Sequence, residues 1–287
     1  MKNHRLILTS LLICSCFPSQ PYIENRTSFV VGYFEFDEIK ANKCILSIDS
    51  VDYARIDLYI PKAHLLTDIF RTDKQSVELY KKCCNKHNDH SDKDLEYLLE
   101  DRVSGVSVCS YPVSDFVSIS LIGNTMWNSN HHTGCSLNDI AYFVAVSPNR
   151  FIQNNYTCFD YTKVQQSDLF NNVFGPIDES MCGFKNSFHY PIDMPVSELK
   201  AEDLSLLGPG HMCKPGGLGY EEPDMLYYPP EVPGWFGERD NYGYENSDDY
   251  NLCSIFIPME LDGVERSLTV TLTDENGTDY STSVTFM

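Results

Sequence analysis

The sequence predicts a mainly β protein, an antiparallel β-sandwich with a short helical insertion and a long acidic loop. Several segments alternate apolar and polar residues with the period of two that is typical of half-buried strands. The chain has 287 residues, of which 42% are apolar and 13% aromatic, enough to bury a substantial core. Because all-β sandwiches reach this length as one unit, we predict one disulfide-bonded domain over residues 17–287.

The clearest alternation is in residues 54–60, where Ile56, Leu58 and Ile60 share one face and Arg55 and Asp57 share the other. Residues 140–146 are continuously apolar, as expected of a strand buried on both faces. The predicted strands are residues 28–36, 54–60, 116–122, 140–146, 252–259, 268–273 and 280–286.

Three local details accompany these strands. In residues 116–122 the alternation predicts that Val117, Ile119 and Leu121 point inward. Pro258 predicts an edge strand or a bulge, because proline cannot donate a ladder hydrogen bond. The last two strands flank an Asn-Gly pair at Asn276, which predicts a hairpin with a type I′ turn and positive φ at both central residues.

Helical signals are confined to one region. Residues 76–86 predict a short helix, and a capping-box-like sequence at Ser91 predicts a second helix up to Asp101. From residue 184 to residue 249 the chain is rich in proline and shows little periodicity. We predict a long loop there, and loops of this length are commonly functional or disordered.

The amino terminus has the three regions of a secretory signal peptide over residues 1–16. Lys2 and Arg5 precede the apolar residues 6–16, and small residues follow at the predicted cleavage site. The apolar run is too short to span a bilayer. Modification of Cys16 as a lipoprotein is the alternative, although the residues before Cys16 suit that signal poorly. We therefore expect a secreted, extracellular protein.

Two further features fit secretion. N-glycosylation triplets begin at Asn25, Asn155 and Asn276. Of the 11 cysteines, nine follow the predicted signal peptide, and their spread along the chain is typical of a disulfide framework. Since nine is odd, at least one cysteine stays unpaired or joins another chain, which allows a disulfide-linked oligomer.

The charge balance excludes some partners. The chain has 21 Lys and Arg against 41 Asp and Glu, a formal net charge of −20. Nucleic-acid binding needs clustered cations, so we expect no nucleic-acid partner. The same field repels anionic membrane surfaces and attracts basic proteins.

The acidic, tyrosine-rich part of the loop, residues 220–250, is the predicted ligand-binding segment. It contains nine carboxylates and one basic residue, Arg239. Carboxylates attract a basic ligand over long range, and Tyr and Trp provide rigid contact area. The alternative is a solvated loop whose aromatic residues pack on the sandwich. The candidate ligand-binding residues are Tyr220, Glu221, Glu222, Asp224, Tyr227, Tyr228, Trp235, Tyr244, Asp248 and Asp249.

Residues 83–90 contain Cys83, Cys84, His87 and His90, which suggests a zinc site. Adjacent cysteines fit structural zinc spacing poorly, and oxidised cysteines do not bind metal, so we favour a disulfide-anchored loop. We expect neither a metal nor another cofactor.

His131 and His132 lie close to Cys135, which suggests a thiol nucleophile. Nucleophilic catalysis needs a base that is oriented by a third group, and adjacency in sequence does not supply one. Because no known catalytic motif is present, we expect a non-enzyme. A secreted hydrolase with an unrecognised site and a structural coat or matrix protein are the alternatives.

The signal segment, the acidic balance, the strand sequences ARIDLYI and SLTVTLT and the loop sequence YEEPDMLYYPP together resemble the secreted immune-evasion proteins of poxviruses. That group includes β-sandwich decoys that bind chemokines, cytokines or MHC molecules. The resemblance is architectural and assigns no residue a role. It implies a secreted glycoprotein that binds a basic protein ligand, with a host chemokine or cytokine as the candidate.

Overall fold

The computed structural model describes residues 28–30, 32–68, 73–90, 110–174, 189–208 and 250–287. Within these ranges the fold is mainly β and sandwich-like, which confirms the predicted class. The strands are β1 (Gly32–Glu35), β2 (Lys40–Ile48), β3 (Val51–Ile60), β4 (His64–Asp68), β5 (Ser110–Pro112), β6 (Phe116–Gly123), β7 (Tyr142–Ser147), β8 (Tyr190–Pro195), β9 (Tyr250–Pro258), β10 (Arg266–Asp274) and β11 (Asp279–Phe286).

The described strands form three sheets. The largest has the order β2-β3-β9-β7-β8 and is antiparallel throughout. A second antiparallel sheet has the order β11-β10-β6. The third has the order β4-β1-β5, and its β1–β5 pair is parallel. Side chains from all three sheets, such as Phe34, Ile56 and Leu121, belong to one buried apolar cluster, which is the core of the sandwich.

Three helices complete the described part of the fold: α1 (Lys74–Lys86), α2 (Asn149–Gln153) and α3 (Asp168–Phe174). Helix α1 confirms the helix predicted at 76–86 and begins after Asp73, whose carboxylate accepts a hydrogen bond from the Ser76 amide at 2.9 Å. The second predicted helix, at 91–101, lies outside the described residues. No described helix is long and apolar enough to cross a membrane.

Burial on both faces of β3 differs from the sequence prediction. Arg55 and Asp57 lie opposite the core face, as predicted, yet each is only 3% exposed. A second apolar cluster covers this side of the five-stranded sheet, and α3 contributes Phe170 and Val173 to it. This ion pair is therefore buried, whereas the polar residues of an alternating pattern normally indicate a face that is exposed to solvent.

Two of the details predicted for the strands are wrong, each for an identifiable physical reason. Val117 is 37% exposed, because the register between β10 and β6 shifts beside it and Phe116 takes the buried position. Pro258 does not mark an edge strand, because β9 lies between β3 and β7, and the proline is its last residue.

The terminal hairpin is confirmed, but its turn is not type I′. Within this turn, only Gly277 has a positive φ, of 81°, and its amide donates to the Asp274 carbonyl at 3.0 Å. The buried Asp274 carboxylate accepts hydrogen bonds from the amides of Asn276 and Thr278 at 2.9 and 2.8 Å. This side chain fixes a turn in which Asn276 keeps a negative φ.

The predicted loop at 184–249 contains regular structure in its described part. Strand β8 pairs with β7 at the edge of the five-stranded sheet. Pro191 and Pro195 lie at the two ends of this strand, and such prolines were a reason to predict a loop from the sequence. An edge strand tolerates proline, because one of its two sides forms no hydrogen bonds with a neighbouring strand. Residues 209–249 lie outside the described residues.

Candidate functional site

The predicted ligand-binding residues of the acidic loop lie outside the described residues, and so does Asn25. The other two predicted glycosylation sites, Asn155 and Asn276, are exposed. Asn276 Nδ2 donates to Ser114 Oγ at 2.9 Å on the surface of the hairpin turn. Glycosylation at both positions stays a prediction.

Of the cysteine and histidine residues in 83–90, Cys83, Cys84 and His87 are buried, whereas His90 is exposed. Cys83 and Cys84 are buried on α1, and burial raises the pKa of the Cys84 thiol to about 11. The buried Asp89 carboxylate accepts from the Phe29 and Val30 amides at 2.8 and 2.9 Å, which ties the end of α1 to the start of the fold. In the described part of the chain, no three His, Cys, Asp or Glu residues are arranged to hold a metal ion.

The thiols of Cys83, Cys84, Cys135 and Cys253 form no disulfide in the structure. Cys109, Cys182 and Cys213 lie outside the described residues, and the disulfide framework stays a prediction.

His131 is held by a loop around Asn128. Its ring contacts Asn128 Oδ1 at 2.9 Å and the Asp139 carboxylate at 3.0 Å. Asn128 Oδ1 also accepts from the His131 amide at 2.9 Å, and the Trp127 amide donates to the His131 carbonyl at 2.8 Å. These contacts shape the loop that carries Trp127.

Two loops meet at one end of the sandwich and form what we call the tip, defined as residues 124–131 and 258–266. The buried Arg266 joins them: its Nε donates to the Trp127 carbonyl at 2.8 Å, and its guanidinium binds both Asp262 oxygens at 2.7 and 2.9 Å. The buried Trp127 also connects the two loops, because its Nε1 donates to the Pro258 carbonyl at 2.8 Å. The tip is therefore cross-linked by a bidentate ion pair and by side-chain bonds to backbone carbonyls.

The tip carries exposed apolar side chains on this cross-linked scaffold. Met126 is 51% exposed, Leu261 58% and Val264 47%. Exposed carboxylates lie between and beside them at Glu260, Asp262 and Glu265, while Arg266, the lone Lys or Arg of the two loops, is buried. Exposed apolar side chains bordered by polar or charged groups occur at many protein-binding surfaces.

The tip could not be located from the sequence. Met126 is far along the chain from Leu261 and Val264, and neither stretch has the periodicity that identifies a face. The strongest available signal was Trp127, one of only two tryptophans in the chain.

The ion pair gives the tip a pH dependence. Hydrogen bonds from Arg266 lower the pKa of Asp262 to about 2, below its ordinary value of about 3.9. The pair therefore contributes fully above pH about 4, and its contribution is lost as the pH falls through about 2.

We expect an NMR titration of the Asp262 carboxyl to have its midpoint near pH 2, and the Asp262→Asn variant to lose this part of the acid sensitivity of the tip. A midpoint near the ordinary value would show that the Arg266 contact does not persist in solution.

Comparison of the chain with protein-family models, curated proteins and solved structures finds no match. The functional proposal therefore depends on the charge of the chain and the geometry of the tip.

Proposed function

We propose that the protein is a secreted, acidic glycoprotein that captures a basic protein ligand, with a host chemokine or cytokine as the candidate class. The observation that carries the proposal is the tip. Its three exposed apolar side chains supply contact area, and its carboxylates complement a basic partner.

The overall charge supports the same kind of partner. A net charge of −20 accelerates encounter with cations, and exposed charges act over about 8 Å at physiological ionic strength. The acidic loop at 220–250 would extend this attraction, whereas the apolar groups of the tip would slow dissociation.

A preorganised surface limits the entropic cost of binding. The Arg266 and Trp127 bonds hold the two loops of the tip before any ligand arrives. Fewer backbone and side-chain rotations then have to be frozen in the complex, and more of the interaction energy is available as affinity.

The test is a triple substitution of Met126, Leu261 and Val264 by serine. We expect the dissociation constant for a bound chemokine or cytokine to rise at least about tenfold, mainly through faster dissociation. Surface-binding kinetics of the glycoprotein against a panel of basic chemokines and cytokines measures both rates.

Val164→Ser is the matched control, because Val164 is 48% exposed and lies outside the tip. It is expected to leave the affinity unchanged. Equal affinities for the triple variant and the unmodified protein would remove the tip from the binding surface.

A further inference from the structure

The His131 ring connects the first loop of the tip, residues 124–131, to a neighbouring turn of the sandwich. His131 is 9% exposed. Its Nδ1 lies 2.9 Å from Asn128 Oδ1, and its Nε2 lies 3.0 and 3.1 Å from the two carboxylate oxygens of Asp139. Both ring nitrogens therefore face oxygen atoms.

The oxygen that faces Nδ1 is held by the backbone of the same loop. The amides of Asn130 and His131 both donate to Asn128 Oδ1 at 2.9 Å. Backbone N–H groups can only donate, so this atom of the Asn128 side chain is the carbonyl oxygen, which can only accept. A hydrogen bond between this oxygen and the ring therefore needs a proton on Nδ1.

The carboxylate that faces Nε2 belongs to a turn that is fastened to β6. The residue before Asp139 is Asn138, whose Oδ1 accepts from the Leu121 amide at 2.9 Å and whose Nδ2 donates to the Ile119 carbonyl at 3.0 Å. These bonds fix the position of the turn relative to the sheet. Since a carboxylate accepts and does not donate, the contact with Asp139 needs a proton on Nε2.

The protonation state of His131 decides how many of these two bonds form. The imidazolium ring has two N–H donors and can bond to Asn128 and Asp139 together, whereas the neutral ring has one. In either neutral tautomer, one nitrogen turns a lone pair toward an oxygen. Loss of a proton therefore removes one of the two contacts that hold the ring.

This ring lies close to the residue that joins the two loops of the tip. The Trp127 amide donates to the His131 carbonyl at 2.8 Å, and the Trp127 carbonyl accepts from Arg266. The position of His131 is thus coupled through the backbone to the bond between the loops.

The charged surroundings of the ring are simple. Asp139 contacts the ring from the neighbouring turn, and His132, the next residue of the chain, is exposed. On the second loop of the tip, the Arg266 guanidinium is paired with Asp262. The carboxylate of Asp139 is therefore the charge to which a proton on His131 responds.

We propose that His131 is a proton-binding site that regulates the tip: with a proton on each ring nitrogen it fastens the first loop to Asp139, and loss of one proton loosens that loop as the pH rises. Histidine side chains change charge in the range of about pH 5 to 8. The consequence for a ligand, slower dissociation at mildly acid pH, rests on the proposed function of the tip.

Amide hydrogen exchange of the protein without ligand tests the proposal. We expect the protection factors of the Asn130 and His131 amides, corrected for the intrinsic exchange rate, to be about two- to fivefold higher at about pH 5.5 than at about pH 7.5. This factor corresponds to one partly exposed ion-pair contact. Protection that does not change between the two pH values would overturn the proposal.

Two variants and a matched control assign the effect to this ring. His131→Gln should lose the pH dependence. Asp139→Asn, at an exposed position, should lose it as well, because an asparagine side chain can donate to the neutral ring, and it replaces His131→Gln if that variant does not fold.

His132→Gln is the control, since His132 is an exposed neighbour, and it should keep the pH dependence of the unmodified protein. A pH dependence that persists in Asp139→Asn, or that disappears in His132→Gln, would refute the role of His131. Because no ligand is present, these results are independent of whether the tip captures a basic protein.

Discussion

Replacement of Asp57 by alanine is expected to lower the free energy of unfolding by about 3–5 kcal/mol. The substitution leaves the Arg55 guanidinium buried at 3% exposure without its carboxylate, and it also removes the acceptor of Ser254 Oγ. Removal of one partner of a buried ion pair is among the most destabilising changes that one substitution can make. Equilibrium unfolding in denaturant measures the loss.

The same strand offers a matched control. Asp52 is half-buried and hydrogen-bonds to the exposed Ser47, so Asp52→Ala should cost no more than about 1 kcal/mol. The double variant Arg55→Met with Asp57→Leu should recover most of the stability lost in Asp57→Ala, because it removes both charges together. A similar cost for Asp57→Ala and Asp52→Ala would mean that the ion pair is not buried in solution.

Trp127→Ala is expected to cost about 3–5 kcal/mol, as is typical when a large buried aromatic residue is removed. Trp127 is 1% exposed and packs edge-to-face on Phe286, with ring centroids 6.3 Å apart. Since its indole also bonds to the Pro258 carbonyl, the two loops of the tip should separate. We therefore expect a loss of ligand binding in addition to the loss of stability.

Met126→Ala separates these two effects. Met126 is adjacent in sequence but 51% exposed, so its truncation should change stability by no more than about 0.5 kcal/mol. It should still weaken ligand binding if the tip is the binding surface. A Trp127→Ala protein of unchanged stability would contradict the packing described for the tip.

Local periodicity predicted most of the strands. The prediction is confirmed for residues 54–60, for residues 142–146 of the predicted 140–146 and for the two strands of the terminal hairpin, because the apolar pattern of each segment matches the side chains that it buries. The wrong predictions occur where contact with a segment that is distant in sequence changes which side chains are buried. The bulge opposite β10 turns Val117 outward, and α3 buries Arg55 and Asp57 on the face that was expected to be polar.

The candidate sites were less predictable than the strands. The tip depends on Arg266 bonding to a loop that is distant in sequence, so no local motif identifies it. The acidic segment at 220–250 stays a prediction from composition, and composition does not give its conformation.

Binding kinetics of the protein against basic chemokines and cytokines, at low and physiological salt, test the central claim most directly. We predict a saturable nanomolar interaction that survives physiological salt, with an association rate that falls as salt rises. Weak binding to every basic protein, lost at physiological salt, would contradict the account, because the charge of −20 would then act without a specific surface.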